Sequence, residues 1–309
     1  MRLSLGIKSD PIEYRYTYTW LFALLDSLDV RYVQLGSFFE LLIVEDDFLI
    51  QLREEADRFN IRIKSCFSSH REFGGFFSGN LFLEKAARKM YQRFIEVGSL
   101  LGADYVGTNP GTVRRDTMEF KNDGIECYLK HMKEFMAYAK EKGLKGLTME
   151  PMSCLAEPPT LPEELDYMLG LLADYHGGHP ETTVPVYTCG DISHGYADRE
   201  GEVIHGNFDL FNHHVPHLAE FHFKNTDPLF DSTFGFSPEE QERGIVNLNK
   251  LKQLILSRQE DIPVEHLVGY YETGGPKMGR EYSDYQLEKE LTRSLEAIRA
   301  VFSIKGGQS

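Results

Sequence analysis

The amino-acid sequence predicts an α/β protein, a single (β/α)8 TIM barrel. Short β-branched or apolar runs alternate with segments of helical period along the whole chain, and there are eight such runs. No low-complexity linker or composition break interrupts the 309 residues, so 1–309 reads as one domain with a frayed tail from about 305. Chains of this length often divide in two, but α/β barrels run as one. The alternative, an open doubly wound sheet, leaves two strand edges that closure removes.

The expected strands are Leu3–Lys8, Arg31–Leu35, Ile61–Phe67, Tyr105–Thr108, Gly146–Glu150, Val184–Cys189, Glu220–Lys224 and Leu267–Glu272. Between them, apolar stripes mark helices. Leu83, Ala87, Met90, Phe94, Val97 and Leu101 advance in steps of four and three, the spacing of one helix face. Ile125, Leu129, Met132, Met136 and Ala139 do the same, as do Leu287, Leu291, Leu295, Ile298 and Phe302. Each stripe is expected to lie on the sheet. Thr160-Leu161-Pro162-Glu163 and Ser237-Pro238-Glu239-Glu240 have the form of capping boxes, the second predicting a short extra helix after the seventh strand. Gly102 and Gly143 are placed to close helices just before the next strand.

Composition narrows the function. Lys plus Arg number 33 against 48 Asp plus Glu, a formal net charge of −15. Such a chain repels phosphate backbones and anionic membrane surfaces, so neither a nucleic acid nor a membrane is an expected partner. No apolar run approaches the roughly 18 residues of a membrane span. The first residues lack the apolar stretch of a signal peptide, and a cytoplasmic location is expected. None of the cysteines, Cys66, Cys127, Cys154 and Cys189, stands in a CxxC pair. Cys66 and Cys189 lie in apolar runs and are expected to be buried thiols.

Reactive groups in a barrel of this type stand at the carboxyl ends of the strands. The fifth run ends in Glu150, the sixth is followed by Asp191, the seventh carries His222, and the eighth ends in Glu272. Three carboxylates and an imidazole brought to one rim suit a divalent ion of the Mn²⁺, Mg²⁺ or Co²⁺ type, with Zn²⁺ also accommodated. His194, three residues after Asp191, is a candidate substrate contact. Lys224 shares a strand face with His222 and is suited either to an oxygen anion or to a structural ion pair. His70, Asn109 and Glu157, each in a loop after a strand, are weaker substrate-binding candidates, and Asn225 and Asp227 are weaker still. His213, His214 and His217 fall in one helical segment and read as surface histidines.

The ordered set Glu150-Pro151, Asp191-x-x-His194, His222-x-Lys224 and Glu272 before Thr273-Gly274-Gly275 resembles the xylose isomerase-like superfamily. Within it the likeness is to sugar (phosphate) isomerases and epimerases of the tagatose and psicose 3-epimerase kind. The resemblance spans nearly the whole chain. It implies one divalent metal, Mn²⁺ first, held by Glu150, Asp191, His222 and Glu272. It further implies a small sugar substrate held in part by His194, and a metal-stabilised cis-enediolate with Glu150 and Glu272 as acid and base. The implied activity is that of an isomerase or epimerase of a ketose, ketose phosphate or related sugar acid. The alternative on the same barrel is a metal-dependent dehydratase or decarboxylase of a keto sugar or keto sugar acid. Barrels of this group pair through exposed helices, so a homodimer or homotetramer is also implied. Two departures stand out. Pro228 occupies the place of a substrate-binding Arg six residues after the metal-binding His, and Ala156 that of a Glu, with Glu157 displaced by one. Arg243, Lys277 and Arg280 flank the rim as candidate anion contacts or solvated charges.

Overall fold

The structure, a computed structural model, describes residues 1–13, 15–36, 39–68, 71–274 and 284–302. The elements run β1 (Arg2–Lys8), α1 (Tyr18–Ser27), β2 (Tyr32–Gly36), α2 (Phe39–Ile43), α3 (Asp46–Arg58), β3 (Arg62–Ser68), α4 (Leu81–Leu100), β4 (Tyr105–Thr108), α5 (Lys121–Glu141), β5 (Gly146–Met149) and α6 (Pro162–Gly178). They continue β6 (Val186–Asp191), a small hairpin of β7 (Tyr196–Ala197) and β8 (Val203–His205), α7 (Asn207–His214), β9 (Leu218–Phe223), α8 (Pro238–Gln241), α9 (Leu248–Ser257), β10 (His266–Tyr271) and α10 (Asp284–Phe302). Eight strands form a closed barrel in the order β1-β10-β9-β6-β5-β4-β3-β2, with helices between strands. All eight expected strands are present, with ends displaced by at most two residues. Among the described residues, no helix is long and apolar enough to cross a membrane.

The chain divides into two compact units, one of Met1–Leu35, Gln51–Ile63 and Gly190–Ser309, the other of Gly36–Ile50 and Lys64–Cys189. In the first unit β1 pairs in parallel with β10, Gly6 opposite Tyr270, and β10 pairs with β9, Tyr270 opposite His222. Every residue of β9 is buried, as expected for a strand covered on both faces. The α10 stripe of Leu287, Leu291, Leu295, Ile298 and Phe302 is buried as its spacing predicts.

In the second unit β3, β4, β5 and β6 pair in parallel, with Phe67 opposite Gly107 and Gly107 opposite Thr148. A Cβ on Gly107 would lie 2.0 Å from Thr148 Oγ1 and 2.8 Å from Phe67 Cδ2. The α5 stripe is buried throughout. On α4 the buried face is Ala87, Tyr91, Phe94, Ile95, Val97 and Gly98, whereas Leu83, expected in the core, is exposed. The Leu83 side chain faces solvent although the backbone of that turn meets Gly75, and Tyr91, stacked on Phe135 at 4.4 Å, is buried where the stripe names Met90. Cys66 and Cys189 are buried, and all four cysteines are free thiols.

Helix ends follow local chemistry. Gly102 and Gly143 have φ of +71° and +83°, the left-handed conformation that closes a helix. The box before α6 is shifted by one residue. The Glu164 carboxylate accepts from the N–H groups of Thr160 and Leu161, while the Thr160 hydroxyl donates to Cys154 O. The short helix α8 begins after Ser237 as expected, without a side-chain cap.

His214 corrects the reading of its segment. It is 2% exposed and its Nδ1 has no hydrogen-bond partner, while His213 and His217 are half-buried. Position on the buried face of α7 decides this. Burial, reinforced by the nearby His213, His194 and His217, lowers the imidazole to about 3.

Two outcomes test this packing. Gly107→Ala should destabilise the fold by about 1–3 kcal/mol in urea unfolding, because backbone and Thr148 must move. His214 is neutral when folded and titrates near the usual 6.5 when unfolded, so protons favour the unfolded chain. Stability should therefore fall as pH drops from about 6.5 towards 3, by about 1.4 kcal/mol per pH unit from this residue. His214→Gln should remove that increment, and equal slopes for the two proteins would refute it.

Candidate active site

Strand ends supply the reactive groups. Asp191 closes β6 and its side chain is fully buried. The chain turns at once: Ser193 N–H donates to Asp191 Oδ1 at 2.8 Å, and His194 N–H donates to Asp191 O at 3.2 Å. This turn explains the Asp-x-x-His spacing, because it folds His194 back until its Nε2 is 3.4 Å from Asp191 Oδ2.

His222 and Lys224 are two residues apart and share a face. His222 is fully buried, and its Nε2 meets Gln34 Oε1 at 2.7 Å. With Nε2 donating to that oxygen, Nδ1 is the atom turned to the carboxylates. It lies 2.8 Å from Glu272 Oε2 and 3.9 Å from Asp191 Oδ2. Glu272 follows β10, where its N–H donates to Phe223 O at 3.0 Å. Lys224 Nζ bridges the acids, 3.2 Å from Asp191 Oδ2 and 3.3 Å from Glu272 Oε1. Lys8, at the end of β1 and 1% exposed, stands 3.4 Å from Glu272 Oε2 and 3.0 Å from Asp10 Oδ2.

The charges set the protonation states. Burial pushes the Asp191 carboxyl upward, but Lys224, His194 and His222 outweigh it and hold the group below its ordinary value. Burial likewise raises Glu272, while Lys224, Lys8 and His222 bring it well below the usual range. Both acids are therefore ionised at neutral pH.

The donor set fits a divalent cation. Asp191, His222 and Glu272 each turn one ligand atom to a common point, within 4.8 Å of one another. Asp191 Oδ2 and Glu272 Oε2 are buried and accept no hydrogen bond of good geometry, although ammonium groups stand near them. Two ionised carboxylates beside an imidazole nitrogen whose other ring nitrogen is held by Gln34 are donors of the kind a divalent ion takes.

Glu150 follows β5 directly and is 4% exposed. Its Oε2 accepts from Asn109 Nδ2 at 2.6 Å, and Asn109 itself follows β4. Asn109 is thus a hydrogen-bond donor to Glu150. Glu157 is buried in the 151–161 loop, its N–H donating to Cys154 O at 2.7 Å. Asp227 and Asn225 build the loop after β9. Asp227 Oδ1 accepts from Leu229 N and Asn225 Oδ1 from Val246 N, both at 2.9 Å. Arg243 is engaged, 2.7 Å from Glu240 Oε1 and 4.3 Å over the Phe234 ring. His70, Lys277 and Arg280 lie outside the described residues.

Sequence reasoning missed Lys8 and Gln34. Their signal was present, a polar residue at the carboxyl end of an apolar β1 and another inside β2.

No family model and no curated protein sequence matches the chain. Solved structures do. A putative xylose isomerase from Rhodospirillum rubrum aligns over 96% of this chain and 99% of that one, with a TM-score of 0.78 at 19% identity. A D-psicose 3-epimerase with D-tagatose from Clostridium cellulolyticum aligns over 97% and 99%, with a TM-score of 0.69 at 14% identity. A probable 3-DHS dehydratase from Bacillus anthracis aligns over 93% and 97%, with a TM-score of 0.60 at 13% identity. The chain shares with these structures the fold of a closed eight-stranded barrel with helices between strands.

The ion-pair account predicts a titration. In metal-free Lys224→Met protein, the Asp191 and Glu272 carboxyls should titrate at higher pH than in wild type, followed by carboxyl NMR. Because both are depressed in the folded state, their stabilising effect is full above about pH 4–5 and lost as pH falls through the folded values. The variant should lose less stability than wild type over that acid range.

Proposed function

We propose that the chain is a divalent-metal-dependent isomerase or epimerase of a ketose, ketose phosphate or related sugar acid, working in the cytoplasm. The observation that carries the reading is the grouping of Asp191 Oδ2, His222 Nδ1 and Glu272 Oε2, ligand atoms within 4.8 Å of one another on two ionised carboxylates and a buried imidazole. Glu150, a buried carboxylate at the next strand end and oriented by Asn109, supplies the fourth ligand. The oxygen-rich set favours Mn²⁺ over softer ions, with Mg²⁺, Co²⁺ and Zn²⁺ also accepted. Support for the substrate class comes from the epimerase and putative isomerase of the same fold. Four free thiols agree with a reducing compartment.

When bound, a divalent ion polarises the substrate carbonyl and stabilises negative charge on its oxygen. The protein supplies the proton transfers. Glu272, kept ionised by Lys224 and Lys8, takes the proton from the carbon beside the carbonyl, leaving an enediolate. Glu150 enters this step in its protonated form and returns a proton, and exchange with solvent resets both carboxyls after product leaves. Delivery to the other face of the same carbon inverts that centre, and delivery to the neighbouring carbon gives the aldose–ketose isomer. His194, placed by the turn after Asp191, binds a substrate oxygen, and Lys224 adds positive charge beside it.

A dehydratase reading draws on the 3-DHS dehydratase of the same fold. There one carboxylate suffices for proton removal, and the product is lighter by one water.

Incubation with Mn²⁺ in D₂O and a panel of ketoses, ketose phosphates and keto acids separates the readings. Deuterium at the carbon beside the carbonyl, with unchanged composition, is the expected result. Loss of water or carbon dioxide would transfer the protein to the second reading. Glu272→Gln should lower kcat by at least about 10²-fold while weakening Mn²⁺ binding less than His222→Ala does. Full activity in Glu272→Gln would remove the base from the mechanism.

A further inference from the structure

A second group of ligand-type side chains stands between α4 and α5. Cys127 and His131 are four residues apart on α5, so they share one face of the helix. Glu84 stands in the first turn of α4. His131 Nε2 is 2.7 Å from Glu84 Oε1, and one ligand atom from each of the three lies within 4.8 Å of the others. His131 is 7% exposed, whereas Glu84 and Cys127 are half-buried and open to solvent.

The surroundings add a support for the imidazole. His131 Nδ1 faces Glu134 Oε2 at 3.8 Å. Glu134 is itself held by Arg88 Nε at 2.9 Å and Gln92 Nε2 at 3.2 Å. A carboxylate behind the far nitrogen of a histidine is the usual support of a metal-ligating imidazole. Phe76 and Phe135 pack on the ring, at 5.0 and 6.2 Å between centroids, and restrict its rotation.

We propose that Glu84, Cys127 and His131 form a separate binding site for a Zn²⁺-type ion. Sulfur, nitrogen and oxygen donors in one place suit a borderline-soft tetrahedral cation, and three protein ligands leave the fourth position to water. On binding, the Cys127 S–H bond breaks, its proton passes to solvent, and the sulfur lone pair goes to the ion. His131 releases the Nε2 proton that it directs at Glu84, so that the freed Nε2 lone pair goes to the ion, and the imidazole bound to the ion carries its one proton on Nδ1, towards Glu134, any excess proton passing to solvent. The ion ties α4 to α5, and the site shares no residue with the proposed sugar site.

Co²⁺ titration of the purified, metal-free protein tests this, because a thiolate ligand gives a near-ultraviolet charge-transfer band that carboxylates and imidazoles do not. The wild type should show the band. Cys127→Ser should lose it together with one bound equivalent of Co²⁺, while Cys154→Ser keeps both. Glu134→Gln should weaken binding at the thiolate site by about 10- to 100-fold with an unchanged far-ultraviolet spectrum, and it serves should Cys127→Ser fold poorly. Zn²⁺ should displace the band and raise the wild-type melting temperature more than that of Cys127→Ser. Absence of the band in folded wild-type protein, or its persistence in Cys127→Ser, would overturn the proposal and leave the three side chains as a hydrogen-bonded trio. Cobalt binding without the band would report the other site alone, so the two readings stand or fall separately.

Discussion

Two buried carboxylates, Asp191 and Glu272, share a small volume with the ammonium groups of Lys224 and Lys8, and the site depends on that balance. Taking a carboxylate or an ammonium out of water costs several kcal/mol. At 3.3 Å and an effective dielectric near 20, one opposite-charge pair recovers about 5 kcal/mol. Pairing therefore offsets burial without a large surplus. Its effect is on protonation state: both acids remain ionised where apolar surroundings alone would have neutralised them. Metal ligands and general bases alike must be deprotonated, and this arrangement of charge meets that requirement for both proposed roles.

Orientation comes from neighbours that carry no charge. Gln34 accepts from His222 Nε2 and directs Nδ1 to the acids, and Asn109 donates to Glu150. The turn after β6 locks Asp191 through Ser193 and swings His194 back over it. The loop after β9 is built on Asn225 and Asp227, whose oxygens accept backbone N–H groups, and Arg243 is bound to Glu240 and Phe234. Arg243, a candidate anion contact in the sequence, is thus engaged within its own loop.

Much of the fold was legible because its signals are local. Strand and helix periods, the left-handed glycines at 102 and 143, and the buried stripes of α5 and α10 all depend on a few consecutive residues. The failures are also instructive. Leu83 keeps the period of α4 yet is exposed, since period specifies a face and not how deeply each position on it is covered. His214 reads as one of three surface histidines and is buried, since polarity does not specify which side of α7 meets the core. Lys8 and Gln34 escaped notice because a lone polar residue in an apolar strand has no local reason to matter.

By itself the sequence determined the alternation of strands and helices, hence the barrel, and the chemical types waiting at the strand ends: Asp191, His222, Glu272 and Glu150. Only the tertiary structure decided which of them meet and in what charge state. Gln34 and His222 are 188 positions apart yet in hydrogen-bond contact at 2.7 Å, and Lys8 reaches Glu272 across nearly the full length of the chain. Such encounters depend on strand order and register around the closed sheet. Those are properties of all the strands together, and no single segment encodes them.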